Sequence, residues 1–416
     1  MPTVTDVCRT VTVGEMESPI PDYLDTVLAE CRSVDGGSIE SGNRRLAAAD
    51  PDMFGVAIAT VAGTVYTAGD ADIEFSIQSI AKTLAYALAI TDNGLDAMSD
   101  VVDVEPSGDS FNEISLEPGS GRPRNALINA GALAVHAMVR ADSARERVER
   151  IRALHSALAG RELSIDTAVY ESELDADDRN TGITHLLKAV GVLGADPDEV
   201  VDGYAAQCAI SVTCRDLAVM ASVMANGGLE PGSGTRLLDL SVNSHVLSTM
   251  TTCGMYDGTG SWISTVGIPA KSGVSGAIIG VLPGQVGIAV VSPRLNEHGN
   301  SVRGVAVFER LSRDLELHMM HVSPSGMSSL RTVDESDDAT VLELQGDLRF
   351  AGAESVLARL GNGIPSHHRI RLDFEHVRAV DDAARRLLRE AMDRLRSEGH
   401  DVDVSDPHDL LEPADT

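Results

Sequence analysis

The chain has 416 residues, a formal net charge of −30 at pH 7 and a hydrophobic fraction of 43%. That length suits two or three domains and allows a sizeable buried core. The charge argues against a nucleic-acid partner and against an anionic membrane surface, because both need clustered basic residues. No run approaches the ~18 consecutive apolar residues of a spanning helix, and the start carries no basic-then-apolar leader pattern. The five cysteines, Cys8, Cys31, Cys208, Cys214 and Cys253, are scattered and form no CxxC pair. This pattern predicts reduced thiols and a cytoplasmic setting.

Residues 1–20 read as a loosely ordered start. Helical spacing begins in "DYLDTVLAECRSV", with Leu24, Val27, Leu28 and Cys31 on one face. "FGVAIATVAGTVYTAGD" gives two β-rich runs around Gly63, a hairpin signal. An apolar helix follows in "FSIQSIAKTLAYALAI", and helical patterns dominate from about 125 to 260. One of them, "TCRDLAVMASVMANGG", has Thr213 as its N-cap and Gly227 and Gly228 as its stop. After Trp262 the period changes, and "GIPAKSGVSGAIIGVLPGQVGIAVVSPRL" reads as strands joined by turns. "VRGVAVFERLSRDLELHMMH" is a closing helix. Strands early and late with helices between predict one sheet built from both ends of a domain, with the helices as a second lobe. A polar linker is expected over 323–339. Beyond it, strand, helix, strand, helix and strand alternate to about 410, a small α/β unit large enough to fold alone.

The chain has only three lysines, Lys82, Lys188 and Lys271; its other basic side chains are arginine. Lys82 follows Ser79 by three positions, on the same face of the predicted helix. A serine hydroxyl needs a neighbouring base or a site that stabilises its anion. A desolvated lysine can supply the base, and the start of a helix offers unpaired N–H groups. Spacing of this kind is common and weak by itself, since an N-cap serine followed by a surface lysine gives the same pattern. Lys271 stands in Lys-Ser-Gly on a predicted Gly-rich strand, which lets a substrate approach closely. Two of three lysines in paired motifs raise the weight of a catalytic reading.

These motifs, with "EPSG", "NALINAGA", "ESELDADDRN", "GYAAQCAISVTC" and "CGMYDGTG" in that order, resemble the serine-dependent glutaminases, relatives of the β-lactamases and penicillin-binding proteins. The resemblance covers about 21–320 and implies an α/β, two-lobed β-lactamase-like domain over 21–322, an antiparallel sheet flanked by helices plus a helical lobe. It implies hydrolysis of L-glutamine to L-glutamate and ammonia, with Ser79 as nucleophile and Lys82 as its activating partner. Tyr256 would help move protons, and the N–H groups of Ser79 and Val274 would form the oxyanion hole. Asn129, Glu173, Asn180 and Tyr204 would hold the amino-acid end. No cofactor or metal is expected; a homo-oligomer is. The competing readings are a related amide hydrolase and a non-catalytic amino-acid sensor.

One departure stands out. The family usually has Tyr-Ile-Pro before the first strand, its tyrosine reaching over the substrate, where this chain has Gly42-Asn43-Arg44. Ala81 also replaces a common serine. The unit over 340–410 resembles the STAS domains of anti-sigma-factor antagonists and suggests a protein partner. Asp381-Asp382-Ala383-Ala384 stands where that family carries its phosphorylated hydroxyl, so a phosphoswitch there is not expected. His318 and His321 have helical spacing and no third ligand nearby, and His367-His368 falls in a predicted turn. Cys208 and Cys214 are expected to pack.

Overall fold

The computed structural model describes residues 18–108, 114–175, 177–321, 329–335, 339–361 and 369–412. Most of the expected loose start and the His367-His368 pair lie outside those residues. The chain forms two compact units, Met1–His321 and Val322–Thr416.

The first unit is built on an antiparallel sheet with strand order β2-β1-β7-β6-β5. The strands are β1 (Gly55–Thr60), β2 (Val65–Gly69), β5 (Ala270–Gly273), β6 (Ala277–Leu282) and β7 (Val286–Val291). β1 pairs with β7, so the two ends of the domain meet in one sheet. Two further short strands, β3 (Phe75–Ser76) and β4 (Ser211–Val212), pair with each other away from it.

Side chains alternate across the sheet. Val56 and Ile58 on β1 and Ile288 and Val290 on β7 face helices Ile20–Cys31 and Val302–Asp314, whose Leu24, Val27, Val307 and Leu311 complete that core. Ala57, Ala59 and Ala289 face the other way, toward helix Cys214–Ala225. That helix starts at a capping box between Thr213 and Asp216. It lies so close to the sheet that a Cβ on Gly287 would sit 2.3 Å from the Ser222 nitrogen. Helices between Asn129 and Cys208 form the second lobe, with Leu133, Ile183, Leu187 and Val200 among its buried residues.

The second unit has a four-stranded sheet of order β11-β10-β9-β8. β8 (Leu330–Glu335) runs antiparallel to β9 (Ala339–Leu348); β10 (Arg369–Val380) is parallel to β9 and to β11 (Asp401–Ser405). Helices Phe350–Gly361 and Asp382–Ser397 pack on this sheet through Val356, Leu388 and Met392. Asp381 caps the second helix by accepting the Ala384 N–H at 2.7 Å.

Two expectations need correction. The stretch 323–339 carries strand β8, so the unit does not begin at 340. The helix before "HMMH" ends at Asp314, and Glu316 adopts φ +55. His318 and His321 therefore lie beyond the helix, where Met319 N–H is held by the Gly267 carbonyl at 2.8 Å.

The close approach of helix Cys214–Ala225 to the sheet gives a stability prediction. Gly287→Val should destabilise the fold by about 3 kcal/mol, because the backbone it would strike cannot move aside. A urea midpoint equal to that of the unsubstituted protein would contradict this packing.

Candidate active site

Ile77 N–H is anchored on the Ile210 carbonyl at 2.8 Å, directly after the β3–β4 pair. Gln78 then takes φ +52, a left-handed conformation that costs a non-glycine residue about 1–3 kcal/mol. A 3₁₀ turn, Gln78–Ile80, follows and runs into helix Ala81–Asn93. This bend sets Ser79 at the head of a helix that is buried along most of its length.

Lys82, one turn on, is 1% exposed. Its Nζ donates to the Leu127 carbonyl at 3.2 Å and to Asn129 Oδ1 at 2.7 Å. Burial disfavours the ammonium and lowers its pKa from 10.5 to about 8.

The other wall comes from β5. A Cβ on Gly273 would lie 3.2 Å from the Ile77 carbonyl oxygen, so glycine lets this edge strand press against the serine turn. The chain then reverses with Gly276 N–H bonded to the Gly273 carbonyl at 3.0 Å. Val274 lies inside that turn, outside the β5–β6 ladder. Lys271 on β5 is fully buried and donates to the Ser272 carbonyl at 2.5 Å. Burial, and then the charge of Lys82, push its pKa well down.

Tyr256 completes this side. It too is left-handed, at φ +57. Its hydroxyl donates to the Ser272 carbonyl at 3.0 Å and also hydrogen-bonds Ser79. Lys271 Nζ lies 4.2 Å from the centre of its ring. Burial raises the phenol's pKa, and the bond to Ser79 opposes that rise.

Ser79 opens into a cavity of about 230 Å³. Of the sequence-predicted residues, Ser79, Asn129, Glu173, Asn180, Tyr204 and Val274 line it. Lys82 and Tyr256 do not line it but are bonded to residues that do, Lys82 to Asn129 and Tyr256 to Ser79. A hydrogen-bond chain crosses the floor: Lys82 donates to Asn129, whose Nδ2 donates to Asn180 Oδ1 at 3.1 Å. A larger hollow of about 370 Å³ on the second unit is walled by Leu357, Leu360, Leu387 and Leu395 and offers no nucleophile.

The polar end of the cavity carries the carboxylates of Glu40, Glu173 and Asp177 together with Arg179. Burial raises the pKa of Glu173, and hydrogen bonds from Gln78 and Asn43 oppose the rise. Asp177 is pushed from 3.8 to about 7, first by burial, with an Asn180 hydrogen bond opposing and the nearby Glu173 charge adding to it. Among the described residues no ion pair with a cation is made by Glu173, whose carboxylate is held by the Asn43 and Gln78 amides. Tyr204 is buried beside Cys208, its hydroxyl hydrogen-bonded to that thiol.

The family model described as glutaminase matches residues 37–320. The chain belongs to the glutaminase family. A glutaminase of Corynebacterium efficiens is 43% identical over 403 residues, covering 96% of this chain and 95% of that one. A glutaminase of Corynebacterium glutamicum is 45% identical, covering 94% and 95%. The crystal structure of Mglu superposes with a TM-score of 0.89 at 47% identity, covering 95% of this chain and all of Mglu. Mglu in its L-glutamate binding form gives 0.88 at 42% identity, covering 96% of this chain and all of that one. Residues 331–413 match a model described as Mlab, STAS domain, so this glutaminase carries a C-terminal STAS domain.

Sequence reasoning missed Gln78, Asn43, Asp177 and Glu40, all of which line the cavity of this glutaminase. Gln78 sat in the quoted motif beside Ser79 and Asp177 in the quoted acidic loop, so adjacency was the available signal for both. Cys208, expected only to pack, lines the cavity as well as packing beside Tyr204. Gly42 is at the cavity rim, its N–H donating to Glu40 Oε1 at 2.6 Å.

A base with the pKa of Lys82 is mostly protonated at pH 6 and mostly free above pH 8. Turnover of saturating substrate should therefore rise close to tenfold per pH unit up to about pH 8 and then level off. Lys82→Arg should remain inactive across the range, because guanidinium keeps its proton. A flat profile from pH 6 to 9 would contradict the assignment.

Proposed function

We infer that this glutaminase hydrolyses the side-chain amide of L-glutamine through a serine acyl-enzyme. The observation that carries the reading is the cavity itself. It joins Ser79, one helical turn from a lysine of lowered pKa, at one end, to Glu173, a buried carboxylate in no ion pair among the described residues, at the other. Glu173 meets the substrate ammonium, while the amides of Asn129 and Asn180 and the phenol of Tyr204 offer donors to its carboxylate.

In the forward step Ser79 Oγ attacks the amide carbon and its proton passes to the neutral amine of Lys82. The tetrahedral oxyanion is held by the N–H groups of Ser79 and Val274. Tyr256, bonded to Ser79 and lying beside Lys271, delivers its proton to the departing nitrogen, which leaves as ammonia, and takes back the proton that Lys82 holds, so the amine is neutral again. Water then adds to the acyl carbon, giving up a proton to Lys82, which passes it to the Ser79 oxygen as glutamate leaves. The antiparallel sheet, the helical lobe, and Ser-x-x-Lys facing Lys-Ser-Gly support a β-lactamase-like reading of the first unit. Free, buried Cys31, Cys208, Cys214 and Cys253 support a reducing, cytoplasmic setting.

Ammonia release from L-glutamine, followed with purified protein, tests this. Ser79→Ala should lower turnover by about 10³-fold or more while L-glutamate still binds by calorimetry. Glu173→Gln should raise KM by roughly 10- to 100-fold, the worth of a hydrogen-bonded charge. Glutamine binding without turnover in the unsubstituted protein would instead make it a sensor.

A further inference from the structure

Asn43 stands in the segment where the chain departs from Tyr-Ile-Pro, and it is 5% exposed. Its side chain has two jobs on opposite sides. Oδ1 accepts the N–H groups of Arg45 and Leu46 at 2.8 and 3.2 Å, which fixes the turn Leu46–Ala48 that follows. The same oxygen accepts the Ser172 hydroxyl at 2.9 Å. Nδ2 donates to Glu173 Oε1 at 2.6 Å. Gln78 Nε2 donates to that same oxygen at 3.0 Å.

Both amides thus converge on one oxygen of Glu173, and among the described residues no donor engages the other, Oε2. A carboxylate has two equivalent oxygens and a freely turning end. Pinning one of them fixes where the other lies. Asn43 cannot turn over to offer its oxygen to Glu173 without losing three hydrogen bonds, so the amide orientation is fixed by the backbone of its own loop.

We propose that Asn43 is a positioning residue for substrate binding: it holds Glu173 so that Oε2 is presented to the ammonium of the amino-acid substrate. This rests on the reading of Glu173 as the ammonium site. It places substrate affinity in a loop 130 positions away from Glu173, and outside the motifs that carry the reaction.

Asn43→Asp separates this role from a structural one. It keeps an acceptor oxygen for Arg45, Leu46 and Ser172 and replaces the donor to Glu173 with a second carboxylate oxygen, which repels Glu173 instead of holding it. Ammonia release should show KM for L-glutamine raised about tenfold, with kcat within twofold. Inhibition by L-glutamate should weaken by a similar factor, whereas inhibition by glutarate, which has no ammonium, should not. An unchanged KM, or equal weakening of both inhibitors, would overturn the proposal. If the aspartate variant does not fold, Ser172→Ala serves. It leaves the backbone bonds of Asn43 in place and loosens the amide, and it should raise KM two- to threefold with glutarate again unaffected; an unchanged KM there overturns the proposal equally. Failure of the unsubstituted protein to release ammonia would instead count against the glutaminase reading itself.

Discussion

The structure depends on keeping one lysine dry. Lys82 is enclosed between its own helix and the segment carrying Leu127 and Asn129, and among the described residues two acceptors stabilise its charge. A fall in pKa from 10.5 to about 8 corresponds to about 3 kcal/mol of destabilised ammonium. Because the folded pKa lies below the unfolded one, that cost is fully present below pH 8 and fades as the pH rises toward 10.5. Large hydrophobic clusters on both faces of the sheet offset it. An arginine in this place would stay charged at every accessible pH, which accounts for a lysine in an otherwise arginine-using chain.

The same constraint organises the neighbours. Lys271 is buried from the facing strand, and the charge of Lys82 makes its ammonium still less favourable. Its contact with the face of Tyr256 ties that strand to the residue bonded to Ser79. Two left-handed non-glycine residues, Gln78 and Tyr256, flank the serine. Strain of this kind persists where packing over-determines it: the β3–β4 pair holds one side and the approach of Gly273 holds the other. Gln78 then has a second use, since its side chain reaches Glu173. One bend in the backbone thereby sets Ser79 at the cavity and holds the Glu173 carboxylate.

How much of this was legible in the chain varies with the range of the interaction. Ser79, Lys82 and Lys271 stood out because lysine is rare and the spacing is local. The Thr213 cap and the hairpin around Gly63 are local as well, and both were readable. Asn43 was not, because its partners Ser172 and Glu173 lie about 130 residues away and nothing in "GNRR" hints at a buried amide. Strand β8 was hidden for a different reason. It is an edge strand, and Arg331, Thr332, Asp334 and Glu335 are exposed, so its sequence reads as linker. "HMMH" kept a helical spacing past the helix end because the turn at Glu316 depends on backbone geometry that the letters do not show.

The titration of Lys82 is the most direct test of a dry, proton-accepting amine beside Ser79. With only three lysines in the chain, ¹⁵N-lysine labelling gives a side-chain spectrum simple enough to assign by single lysine-to-arginine substitutions. The Lys82 Nζ signal should titrate near pH 8 in the folded protein. A Lys82 ammonium that stays protonated past pH 10 would contradict it.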